Sequence, residues 1–206
     1  MQVLHLFPAS SCWSYLLLSK GASRVKNLLA KLSVCVGAAA YALMVYSIII
    51  GTGEGLSLST FALWAALAWI TSFTMLKQGA NAAVPMIYGL GASATTLVLL
   101  YKGRYGWTGF DTVIAILTTI CVVLWLTQGA RKALIMSVIA AAIASIPFVV
   151  MTWQTPASSP IVPNTGFLLS NILAFVAAKA WTVEDRLYSA VNICVCSMLV
   201  IPWVIQ

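Results

Sequence analysis

The side chains of this chain that could take part in chemistry are mostly uncharged, and they stand inside long apolar runs. Asn171 and Asn192 are the clearest. A polar group deep in such a run is costly to bury, so each is a candidate for function. Tyr188 precedes Asn192 by four residues, and on a helix the two share a face. Tyr88 holds roughly the place of Asn192 in an earlier run, and Trp64 and Trp69 lie in another. Five residues apart, the two tryptophans do not share a face well, so at most one lines a pocket. An amide offers donors and acceptors to hydroxyl groups, and indole and phenol rings stack on sugar C–H groups. Trp64, Tyr88, Asn171, Tyr188 and Asn192 are the candidate pocket residues. For the amides, the blander alternative is a hydrogen bond that holds helices together.

A second group is charged. Lys179, Glu184, Asp185 and Arg186 cluster near the end of an apolar run, where a lysine can snorkel to the interface. Ion pairing within a short loop and a gate contact both fit them. Pro85 and Pro147 fall inside apolar runs, remove backbone hydrogen bonds, and are candidate hinges or kinks. Asp111 opens a run, where a carboxylate suits a helix N-terminus. Trp107 and Trp153 read as interfacial anchors. Gly89, Gly91, Ala92 and Ser93 give one run a small-residue surface suited to close packing.

No catalytic constellation accompanies them. G-x-S-x-G, H-E-x-x-H and P-loop motifs are absent, and His5 is the one histidine. The five cysteines, Cys12, Cys35, Cys121, Cys194 and Cys196, form no CxxC pair and read as small apolar fillers. The expectation is a protein that is not an enzyme and has neither a metal nor another cofactor. No acidic residue falls at the middle of a run, which argues against a proton-coupled pump and for flux down a gradient.

The elements that position these residues follow from composition. Only 7% of the 206 residues are charged and 62% are hydrophobic. A soluble domain carries roughly 25% charged residues, so the solvent here is lipid. Seven apolar runs reach spanning length, about Leu28 to Ile50, Ser59 to Leu76, Ala82 to Tyr101, Phe110 to Thr127, Ala133 to Trp153, Thr165 to Trp181 and Leu187 to Ile205. Inside a bilayer each must be a helix. With the N-terminus inside, nine lysines and arginines fall on the inner side and only Lys102 and Arg104 outside. The positive-inside rule then sets the N-terminus inside and the C-terminus outside. The basic balance is thus explained by topology, and nucleic acid is not an expected partner. Residues 1–27, with Pro8 and the Ser10-Ser11 pair, read as an interfacial stretch or disordered leader.

The runs also repeat. Runs one to three (28–101) and five to seven (133–206) share a rhythm at a spacing of about 104 residues, with linker run four (102–132) between them. In each triplet a loop without lysine or arginine, Gly51 to Leu58 or Gln154 to Asn164, precedes a helix opening at Ser59-Thr60 or Asn164-Thr165. A linker helix keeps both triplets in one orientation, as parallel repeats. The stretch Gly53-Glu54-Gly55-Leu56-Ser57-Leu58-Ser59-Thr60-Phe61-Ala62-Leu63-Trp64, and Pro147 in the fifth run, carry a resemblance to the SWEET and PQ-loop superfamily, to which PnuC-type vitamin-precursor transporters are related. The chain departs from that pattern in having no Pro-Gln dipeptide and no proline in its first run. It is also similar to small bacterial membrane proteins with W-x-x-P and W-T-x-E-D elements, here Trp153 to Pro156 and Trp181 to Asp185.

The resemblance implies an all-α polytopic fold of two parallel three-helix repeats joined by a linker helix. It places Asn192 at a central sugar or nucleoside pocket. The expected function is passive transport of a small polar metabolite by alternating access, in a bacterial cytoplasmic membrane. Lipid and the solute are the expected partners, and homo-oligomers stay compatible with it. The alternative is a non-transporting membrane scaffold, receptor or assembly factor. A lipid-modifying enzyme would rest on Glu184 and Asp185 alone.

Overall fold

The computed structural model describes residues 9–51, 56–103 and 107–205, with side chains from Ser23 onward and Ser158 excepted. Glu54, Arg104, His5 and Cys12 therefore lie outside the described side chains. Every element among the described residues is helical: α1 (Ala9–Ile49), α2 (Leu58–Lys77), α3 (Ala83–Tyr101), α4 (Gly109–Gln128), α5 (Ala130–Ala144), α6 (Ile146–Gln154), α7 (Ile161–Ala177) and α8 (Val183–Val204), with a 3-10 turn at Pro156–Ser158. Six spans are long and apolar enough to cross a membrane: Ser23–Ile49, Leu58–Lys77, Ala83–Tyr101, Gly109–Gln128, Ala130–Gln154 and Val183–Val204. The remaining apolar run, the sixth, is α7, whose 17 residues cover only about 25 Å.

Four elements depart from the sequence reading, each for a local reason. Residues 9–27 belong to a continuous 41-residue α1, not to a disordered leader; residues 1–8 lie outside the described set. The fifth run is two helices that meet at Ser145. Pro147, second in α6, cannot donate to the carbonyl four residues back, and Ser145 N and Oγ both turn back to Ala141 O at 3.1 and 2.8 Å. The sixth helix begins and ends four residues early, because Pro160 caps it and Pro163 sits in its first turn, where a missing N–H costs nothing. Pro85 is likewise third in α3, among N–H groups that have no intrahelical partner, so it breaks no hydrogen bond and is not a kink. Pro202, inside α8, does free a carbonyl, that of Met198, and Trp153 Nε1 donates to it at 3.0 Å.

Helix entries and turns are specified by short-range chemistry. Ser57 caps α2 through Thr60 N. Thr108 and Asp111 form a reciprocal capping box on α4, with Asp111 Oδ2 accepting from Thr108 N at 2.7 Å. The one-residue junction between α4 and α5 is Gly129 at φ +94°, a backbone state that L side chains rarely adopt.

In the packing, α3 lies against both α1 and α2, and α8 lies against both α7 and the α5–α6 pair. Helix α1 also packs on α7, α2 on α5, and α4 on α5 and α2. Lipid supplies no hydrophobic drive between helices, so close fit and hydrogen bonds must hold them. Thr71 and Ser137 share a buried bond of 2.9 Å between α2 and α5, and Ser170 Oγ donates to Ser33 O at 2.8 Å between α7 and α1. The small face of α3 receives rings as well as helices. Trp69 lies over Gly89 and donates to Ser93 Oγ at 3.3 Å, and a Cβ added at Gly91 would overlap the Tyr41 ring. The outward faces are apolar, most fully on α4, where Val113, Ile116, Ile120, Val123 and Leu126 are exposed.

Candidate functional site, a cavity between the helices

All helices except α4 contribute to a part-enclosed cavity of ≈ 70 Å³, measured as the space open to the centre of a water-sized sphere. Its walls are largely aromatic. Tyr41 comes from α1, Phe61 and Trp64 from α2, and Tyr88 from α3; Phe148, Phe167 and Tyr188 come from α6, α7 and α8. The rings meet edge to face, Tyr41 with Tyr88 at 5.3 Å, Tyr88 with Tyr188 at 6.0 Å and Trp64 with Phe148 at 6.0 Å. That arrangement suits aromatic quadrupoles and locks the wall into one geometry. Among the described residues no lysine, arginine, aspartate or glutamate lines the cavity.

Four of the five pocket candidates, Trp64, Tyr88, Tyr188 and Asn192, line it together. Tyr188 and Asn192 share the inward face of α8, and Asn192 Nδ2 donates to Tyr188 O at 2.9 Å. Asn171 does not line it. It is fully buried behind Tyr88, with Nδ2 donating to Tyr88 Oη at 2.7 Å and to Phe167 O at 2.8 Å. Tyr88 Oη in turn donates to Phe167 O at 3.2 Å. Asn171 thus fixes a wall residue. Trp69 points to α3 and lies outside the lining.

Asn164, from α7, lines the cavity and was not among the sequence candidates. It is 1% exposed; Nδ2 donates to Ser159 Oγ at 2.9 Å, while Oδ1 has no hydrogen-bond partner. Trp64 Nε1 is also buried without a partner. The sequence reading put Asn164 where the loop from Gln154 meets the next helix and gave it no site role. Tyr41 and Phe167 gave no signal beyond that of ordinary apolar filling.

The charged group lies at the end where the α2–α3, α4–α5 and α7–α8 connections meet. Here the four residues do not pair among themselves. Glu184 Oε1 meets Arg131 Nε at 2.8 Å. Asp185 accepts from Ala180 N at 2.9 Å and, across to the α2–α3 connection, from Asn81 N at 3.2 Å. Arg186 is buried, donates to Phe175 O at 2.9 Å and Ala180 O at 3.2 Å, and lies 3.6 Å from the Trp181 ring centre. It caps the carbonyl end of α7, where a cation is favoured. Lys179 stands exposed in the connection that follows α7 rather than inside a helix.

Among the described residues no three histidine, cysteine, aspartate or glutamate side chains gather as a metal site. Comparison of the chain with protein-family models, with curated proteins and with solved structures finds no match.

Proposed function

We propose that this chain is a passive transporter of a small uncharged metabolite, of the sugar or nucleoside class, working by alternating access between two helix triplets. The observation that carries the reading is the uncharged, aromatic-walled cavity within a bundle of membrane-length helices. Ligand sites are typically concave and mostly apolar, with a few placed polar groups. Charged side chains would mark an ion or proton path, and none lines this one.

The packing order supports the two-triplet plan. In 28–101 the third helix, α3, lies between the first and second; in 133–206 the third helix, α8, lies between α5–α6 and α7. Each triplet's first helix packs on the other's second, α1 on α7 and α5 on α2. That pairing supports a reading as two parallel repeats about an axis along the membrane normal, in which α7 also crosses and α4 is the linker. It favours the SWEET and PQ-loop plan. The Asp185 bond to Asn81 N ties the two triplets at the connection end and suits an inner gate. Positive charge at that end favours its placement in the cytoplasm.

Solute counterflow in proteoliposomes tests the reading, with a panel of sugars, nucleosides and vitamin precursors. Saturable flux of one class is expected, reduced at least tenfold in Asn192→Ala protein that still purifies as a folded species. Flux unchanged in that variant, or none with any solute, would count against it.

A further inference from the structure

Within the cavity, most polar groups already have partners. Thr71 is bonded to Ser137, Ser145 Oγ to Ala141 O, Tyr88 Oη to Phe167 O and Asn171, and Asn192 Nδ2 to Tyr188 O. Two buried groups on lining residues do not, the Trp64 indole N–H and the Asn164 carbonyl oxygen. They are of opposite kind, one donor and one acceptor. A buried polar atom without a partner is a standing cost; Asn171 Oδ1, Trp125 Nε1 and Trp203 Nε1 carry it off the lining, and these two carry it on residues of one cavity wall, where a ligand can relieve it.

We infer that the ligand is an uncharged flat heterocycle with a lactam edge, its C=O taking the Trp64 N–H and its N–H reaching Asn164 Oδ1. This rests on the transport reading and narrows its substrate class. A sugar ring brings several hydroxyl groups, each needing a partner in a wall that is mostly apolar. A flat ring instead offers its face to the aromatic part of the lining, and one amide-type edge carries both an acceptor and a donor, the complement of the two unpartnered atoms. A carboxylate or amine would be buried without a counter-charge, since no ionised side chain lines the wall.

The test is equilibrium binding to the full chain in nanodiscs, using uracil, 1,3-dimethyluracil and D-glucose as probes. Uracil is expected to bind saturably, and 1,3-dimethyluracil, which lacks the N–H donors, about tenfold more weakly. Trp64→Phe keeps a ring and removes the indole N–H; Asn164→Leu removes the acceptor. Each is expected to weaken uracil binding about tenfold. Should Asn164→Leu fail to fold, Trp64→Phe decides alone. Glucose binding as tightly as uracil, uracil failing to saturate, or Trp64→Phe protein binding like the parent would each overturn the inference. Counterflow on the same samples separates the two levels. Uracil binding without any flux keeps the site and rejects transport, and glucose flux without uracil binding keeps transport and rejects this ligand class.

Discussion

The connection end and the cavity treat buried polar groups in opposite ways. At the connection end Arg186 gives its N–H groups to two carbonyls and its face to two rings, and Asp185 takes two backbone N–H groups from different connections. In the cavity the Trp64 indole N–H and Asn164 Oδ1 meet nothing. In a low-dielectric interior a satisfied polar group fixes structure, and an unsatisfied one is tolerated where it serves binding. The connection end uses its polar groups to hold the helices; the cavity wall, and Asn171 Oδ1 behind it, keep some without partners.

The comparison can be broken by thermal unfolding of purified variants. Arg186→Ala has the largest expected effect, about 3 kcal/mol, because it strips two carbonyls and two ring contacts at once. For a chain of this size that is roughly 6–12 °C in Tm; a shift under about 2 °C would show that the connection end is not a structural anchor. Gly91→Ala comes next, about 2 kcal/mol, since its methyl must displace the packed Tyr41 ring. An unchanged Tm there would mean the α1–α3 contact yields easily. Tyr88→Phe should cost about 1 kcal/mol, because it deletes the hydroxyl that Asn171 and Phe167 share. Trp64→Phe has the smallest effect, within about 0.5 kcal/mol of the parent, because its N–H has no partner to lose. A clear loss of stability in Trp64→Phe protein would erase the contrast from the cavity side.

The two amides of the sequence reading show how far local pattern reaches. The Tyr188 and Asn192 pairing was legible, since a four-residue spacing puts both on one helical face and the structure turns that face to the cavity. The role of Asn171 was not, because its partner Tyr88 lies 83 residues away on another helix. The prolines make the same point. Pro147 and Pro85 look alike in sequence and both fall in a first helical turn, yet only Pro147 follows directly on another helix, at the α5–α6 junction. Asn164 was hidden by Pro160 and Pro163, which punctuate a loop and a first helical turn equally well.

The sequence by itself determined that this protein is an all-helical chain with membrane-length apolar helices. It also marked Asp111 at a helix start and the lack of acidic residues at the middle of the helices. Hydropathy, helical period and capping chemistry act within a few residues, so one stretch of chain is enough to express them. Tertiary structure alone decided which polar atoms are paired and which are left open. It decided that Asp185 reaches Asn81 and that Trp64 and Asn164 face one cavity. Those outcomes depend on the contact of helices far apart in the chain, and no local periodicity encodes the partner.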